Sequence, residues 1–232
     1  MDHVTLSTLE RSIRTAQLHL AELLATSVNG RATTPDPRAR YLSFQFHLTR
    51  DVPTYFMAIA GHRDLAWRRK LRDFLYRFAN DEELHHQAVA QDLLALGLTP
   101  PPISADVELW HGYFRSVVGE RPFVKLGAAA ILQTISDGPA RRWVRQILQG
   151  DSPSESAARP AMLYRSDGPP HGMPILTALR DAALEQRHFH DLVEGAESGT
   201  ALYLRMVEWA LQPDLPSRLR DWTDASPPIL MN

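Results

Sequence analysis

Cysteine is missing from all 232 residues. Its absence excludes disulfides, thiolate metal sites, iron–sulfur clusters and cysteine nucleophiles. A metal held by side chains would have to rest on histidine and carboxylate, donors that suit iron, manganese and some zinc sites. Long apolar runs are missing too. Stretches such as 126–132 fall far short of the about 20 residues that a membrane-spanning helix needs. Met1-Asp2-His3 has neither the basic start nor the apolar core of a signal peptide, so a cytoplasmic protein without membrane contact is expected. Neither sign of charge dominates. With 25 Lys and Arg against 27 Asp and Glu the formal charge is −2, and no basic stripe prepares a nucleic-acid surface. Gly-rich phosphate loops, Gly-x-Ser-x-Gly elbows and His-Glu-x-x-His are absent, which speaks against a hydrolase.

What the chain does have is a helical period along nearly its whole length, with no alternating β-branched run to suggest strands. At 44% hydrophobic residues it can bury a core, and its length fits one domain. Ser7-Thr8-Leu9-Glu10 reads as a capping box opening a first helix to about 27, stopped by Asn29-Gly30. A second helix is predicted over 38–60 with a kink at Pro53. A third covers 64–96, bent near Asn80, and a fourth starts after Ser104 and reaches 118. Pro122 opens a fifth to 135. After the break at Asp137-Gly138-Pro139 another runs to 148. The last spans 175–211, with Gly195 and Gly199 as bends. Residues 150–174, rich in Gly, Ser and Pro, read as a loop long enough to cover an active site. Residues 213–232 form a tail. The expectation is a single all-α domain over 1–232.

The densest set of potential ligands is Asp81-Glu82-Glu83-Leu84-His85-His86. A carboxylate and an imidazole three residues apart share one face of a helix. The spacing occurs in two frames, Glu82 with His85 and Glu83 with His86, and only one can face inward. A second set lies in the last predicted helix. There Asp181, Glu185 and His188 stand at i, i+4 and i+7 and would point at one spot. Two such sets in a cysteine-free helical chain point to a non-haem metal site. Two Fe(II) ions, with dioxygen as co-substrate, need carboxylates to offset their charge, neutral imidazoles and open positions. The competing reading is a metal-free helical scaffold with solvated polar stripes. His19 on the first helix is the alternative, as an axial haem ligand. His47 is a candidate for lining a cavity, and Arg50 and Arg165 for holding a substrate carboxylate. His111, beside Trp110, reads as an ordinary helix residue.

These residues resemble the haem-oxygenase-like dimetal oxidases and oxygenases, over most of 5–212. Phe46-His47-Leu48-Thr49-Arg50-Asp51-Val52-Pro53 is similar to that fold's aromatic helix ending in proline. Glu82 through Gly97 is similar to its first ligand helix, and counting back from Gly97 selects His85 and, with it, Glu82. Residues 127–133 are similar to a helix that normally ends in a glutamate ligand, where this chain has Gln133. The last helix's His-x-x-x-Asp-x-x-His is matched by Asp181-x-x-x-Glu185-x-x-His188, so Asp181 replaces a histidine. The resemblance implies a seven-helix haem-oxygenase-like bundle, with Glu82, His85, Asp181, Glu185 and His188 as iron ligands. Gln133 joins His47 and Arg50 as a candidate substrate contact. The implied reaction is oxidation of a small amino-acid-like or amine substrate by desaturation, cyclisation or N-oxygenation, in bacterial natural-product biosynthesis. An external electron donor and a homodimer are further expectations. For haem oxygenase itself, residues 134–138 lack the glycine-rich distal helix.

Overall fold

The computed structural model describes residues 5–29, 37–100, 102–149 and 172–211. Among them the regular structure is all helical, as the period predicts. The helices are α1 (Leu6–Asn29), α2 (Pro37–Thr49), α3 (Val52–Gly61), α4 (Arg69–Ala95), α5 (Ala105–Val118), α6 (Pro122–Thr134), α7 (Arg141–Gln149), α8 (Gly172–Arg180) and α9 (Gln186–Leu211). Short 3-10 turns lie at Arg63–Leu65 and Gly138–Ala140. The described residues thus hold nine α-helices rather than seven.

Two predicted helices are divided, and this makes the difference. In the first, Asp51 takes the N-cap position of α3 and Pro53 sits in its first turn, where a missing N–H leaves no bond unmade. Proline therefore starts a helix here instead of kinking one. In the second, α8 stops at Arg180 and residues 181–185 form a turn, with Ala183 at a φ of 47°. A side chain in the left-handed region resists that conformation, so the tertiary packing on both sides must impose it. Elsewhere the differences are local. The α4 helix passes through Asn80 without a break. The first helix begins at Leu6, and Thr8 Oγ1 accepts a bond from the Thr5 N–H, so the capping exchange falls before Ser7.

The centre of the bundle is α6, buried on every side except at Leu132. Its run of small residues lets α9 approach backbone to backbone. A Cβ on Gly127 would collide with the Leu192 carbonyl, and one on Gly195 with the Val124 carbonyl. Gly195 and Gly199 are therefore contact points within a continuous α9, not bends. Around this pair, α1 packs on α9 through Leu9, Ile13, Ala16, Leu20 and Leu24, the stripe that a 3.6-residue period dictates. His19 lies on the opposite, exposed face of α1, where it cannot serve a buried haem. The α4 helix packs on α2 and α3. No helix among the described residues is long and apolar enough to cross a membrane. The predicted cover at 150–174 lies outside the described residues up to 171, as do Arg165 and the tail.

Candidate functional site

On α4 the buried positions Leu71, Leu75, Phe78, Ala79, Glu82, Val89 and Leu93 form one stripe, and Glu82 occupies a place in it that an apolar residue would normally take. Glu83, one position on, is exposed. Glu82 is only 3% exposed. Its two oxygens are held separately: Oε1 lies 3.1 Å from His85 Nδ1, and Oε2 accepts a 2.8 Å bond from Gln133 Nε2 on α6. No lysine or arginine pairs with it among the described residues. Burying a carboxylate is costly unless its oxygens are satisfied, and here a neutral amide and an imidazole satisfy them. Gln133 commits its amide nitrogen to this carboxylate.

The other predicted ligands are elsewhere. Because residues 181–185 leave the helix, Asp181, Glu185 and His188 do not share a helical face. Asp181 is exposed in the turn. Glu185 is exposed too, and its carboxylate pairs with Arg68 and Arg187, each at 3.2 Å. His188 is buried to 1% exposure against the Phe123 ring, with centroids 4.4 Å apart. Its Nδ1 accepts the Glu185 backbone N–H at 3.0 Å and faces the Arg68 guanidinium at 3.4 Å. Burial first, then the positive charges of Arg68 and Arg187, lower its pKa. The ring is accordingly neutral with its proton on Nε2, a buried atom without a hydrogen-bond partner. A neutral imidazole that binds a metal through Nε2 carries its proton on Nδ1. Two N–H groups aimed at Nδ1 oppose that tautomer.

Distance separates the two groups as well. Phe123, beside His188, and Gln133, bonded to Glu82, are ten residues apart on α6, roughly 15 Å of helix. Arg68, on His188, precedes Glu82 by fourteen residues, roughly 20 Å along α4. No group of three or more His, Asp or Glu that could hold a metal ion occurs among the described residues. A two-metal centre built from all five predicted ligands does not fit this arrangement. Of the five, Glu82 and His85 bring two side-chain donor atoms together, Oε1 and Nδ1 being 3.1 Å apart.

A third cluster went unnoticed in the sequence. Lys125 on α6 is 2% exposed, and its ammonium lies over three rings: Tyr55 at 3.9 Å, Phe114 at 4.5 Å and Trp110 at 5.0 Å from their centroids. Burial lowers its pKa to about 7, against the opposing charge of Asp51. His111, far from ordinary, is buried and fully engaged. Its Nε2 bonds to the His47 carbonyl at 3.0 Å, which fixes the proton on that nitrogen, so Nδ1 accepts the Tyr55 hydroxyl at 2.9 Å. His47 is half-buried nearby, and Arg50 is exposed and bonded to Asp51. One signal was available. The chain contains only two lysines, and one of them interrupts the apolar segment 122–132.

No family model, curated protein or solved structure matches this chain. What defines it is its own geometry: the described residues are all helical, with the buried Glu82 and Lys125 set near opposite ends of one central helix.

Proposed function

We propose that the protein is a non-haem, iron-dependent oxidase or oxygenase that uses dioxygen to oxidise a C–H or N–H bond of a small amine or amino-acid-like substrate. The haem-oxygenase-like bundle implied by the sequence resemblance is part of this reading. The observation that carries it is Glu82, a buried carboxylate that has no Lys or Arg partner among the described residues and stands at ligand spacing from His85. An Fe(II) ion held there supplies the redox chemistry that dioxygen requires. The chain's own part is to orient and shield. Gln133 fixes one Glu82 oxygen, and the packing of α4 on its neighbours keeps water from Glu82, while His85 is partly exposed. The geometry favours one ion over two, because Glu185 and His188 are engaged with Arg68 some distance away.

Anaerobic titration with Fe(II), read by iron content per chain, tests this directly. One iron per chain is expected, lost in Glu82→Gln and His85→Ala and kept in Glu185→Ala and His188→Ala. Wild-type iron binding in the first two variants would sink the assignment. Two irons lost together in all four variants would restore a shared two-metal site.

A further inference from the structure

Lys125 lies outside the iron reading altogether. A lysine enclosed by Tyr55, Trp110 and Phe114, with no carboxylate in ion-pair distance among the described residues, is a poor place for a permanent charge. Three aromatic faces return only part of the lost solvation, because a ring quadrupole attracts a cation less than water does. Desolvation of this kind converts a lysine into a free amine near neutral pH, which is how lysine nucleophiles are made. The Tyr55–His111 pair supplies a proton carrier beside it. The ring over which Nζ sits ends in a hydroxyl that donates to His111 Nδ1.

Lys125 is separated from solvent by only a few residues. From Lys125 outward the residues become steadily more open: Tyr55 is buried, Asp51 is partly exposed, and Arg115, which pairs with Asp51 at 3.6 Å, has a side chain 69% exposed. Separation of that surface ion pair costs little.

We propose that Lys125 is an imine-forming amine that captures a small aldehyde or ketone with an apolar chain. The Nζ lone pair attacks the carbonyl carbon and gives a carbinolamine, with the nitrogen's proton passing to the oxygen. Loss of that oxygen as water forms the C=N bond. Tyr55 delivers the proton that the departing hydroxyl needs and takes up the nitrogen's second proton as the C=N bond forms, with His111 Nδ1 as the hydroxyl's hydrogen-bond acceptor in between. No electrons are transferred, so neither oxidant nor metal enters. The aromatic cage selects the apolar chain, and Arg115 with Asp51 marks the entrance.

The test uses the full-length folded chain, propanal as probe and sodium cyanoborohydride to reduce any imine to a stable secondary amine, followed by peptide mass mapping. Lys70 is exposed and is the only other lysine, so it serves as an internal reference. At pH 7 with limiting propanal, Lys125 is expected to be alkylated about tenfold faster than Lys70. Its rate should rise with pH and level off just above neutrality; Asp51, His111 and Tyr55 are the charged or titratable groups that face it among the described residues, with Arg115 paired to Asp51. Tyr55→Phe keeps the cage but removes the proton, and should slow capture at Lys125 about tenfold while leaving Lys70 unchanged. An unmodified Lys125 in folded protein whose Lys70 is labelled, or labelling of Lys125 only in denaturant, overturns the proposal. An unchanged rate in Tyr55→Phe removes the proton-carrier role.

Discussion

The two ends of α6 treat a buried charge in opposite ways. At the Gln133 end, the Glu82 carboxylate is solvated by hydrogen bonds from a side-chain amide and an imidazole. At the other end, the Lys125 ammonium lies over three aromatic faces. Hydrogen bonds replace water atom for atom, whereas ring quadrupoles replace it only in part. The lysine therefore sheds its proton easily, and its pKa falls to about 7. Both groups sit on or against one helix, yet one meets hydrogen-bonding side chains and the other aromatic rings.

The largest expected effect is at the lysine end. Its folded pKa is depressed, so between about pH 7 and 10.5 the unfolded chain binds the extra proton. Stability must then rise with pH through that window, by roughly 5 kcal/mol at most, and the full penalty is present below it. Lys125→Met should abolish this rise and be the more stable protein at pH 7, measured by urea unfolding of both chains at pH 7, 8.5 and 10. Equal slopes for the two would mean that the cage stabilises the charge after all.

The carboxylate end comes next. Glu82→Ala removes the buried acceptor of Gln133 Nε2 and should cost about 1–3 kcal/mol in the same assay. Glu185→Ala removes an exposed carboxylate with the same spacing to a histidine and should change stability by about 0.5 kcal/mol or less. Similar losses for the two would erase the distinction between a buried and a capping glutamate. The smallest effect is expected at Arg121, whose guanidinium bridges Asp191 and Glu194 at the start of α6. Because this network is largely exposed, Arg121→Ala should cost less than about 1 kcal/mol, with the difference shrinking as salt is added. A loss insensitive to salt would show that the bridge fixes the α6–α9 crossing instead.

The two Glu-x-x-His pairs show how far spacing alone could be read. Glu82-x-x-His85 lies in the middle of a 27-residue helix, where the period holds and the two side chains do meet. Glu185-x-x-His188 has identical spacing but straddles a helix start, so the histidine bonds to the glutamate's backbone N–H and the carboxylate points to solvent. Nothing in Asp181-Ala-Ala-Leu-Glu185 announces that start. It contains no glycine or proline, and alanine favours helix. Lys125 was missed for the opposite reason. It stands inside an apolar segment, and a single charge there reads as a surface residue until its neighbours are known.

By itself the sequence determined the helical class and the exclusion of thiol chemistry, because both depend on composition or on contacts a few residues apart; it left the Glu82 and Glu83 frames of α4 open, and the packing turned Glu82 inward. The tertiary structure alone decided which charges share a site. It broke the chain at 181–185, pressed α6 against α9 through Gly127 and Gly195, and enclosed Lys125 with rings from α3 and α5. Those outcomes depend on how segments far apart in sequence fill one volume, and spacing along the chain carries no record of that.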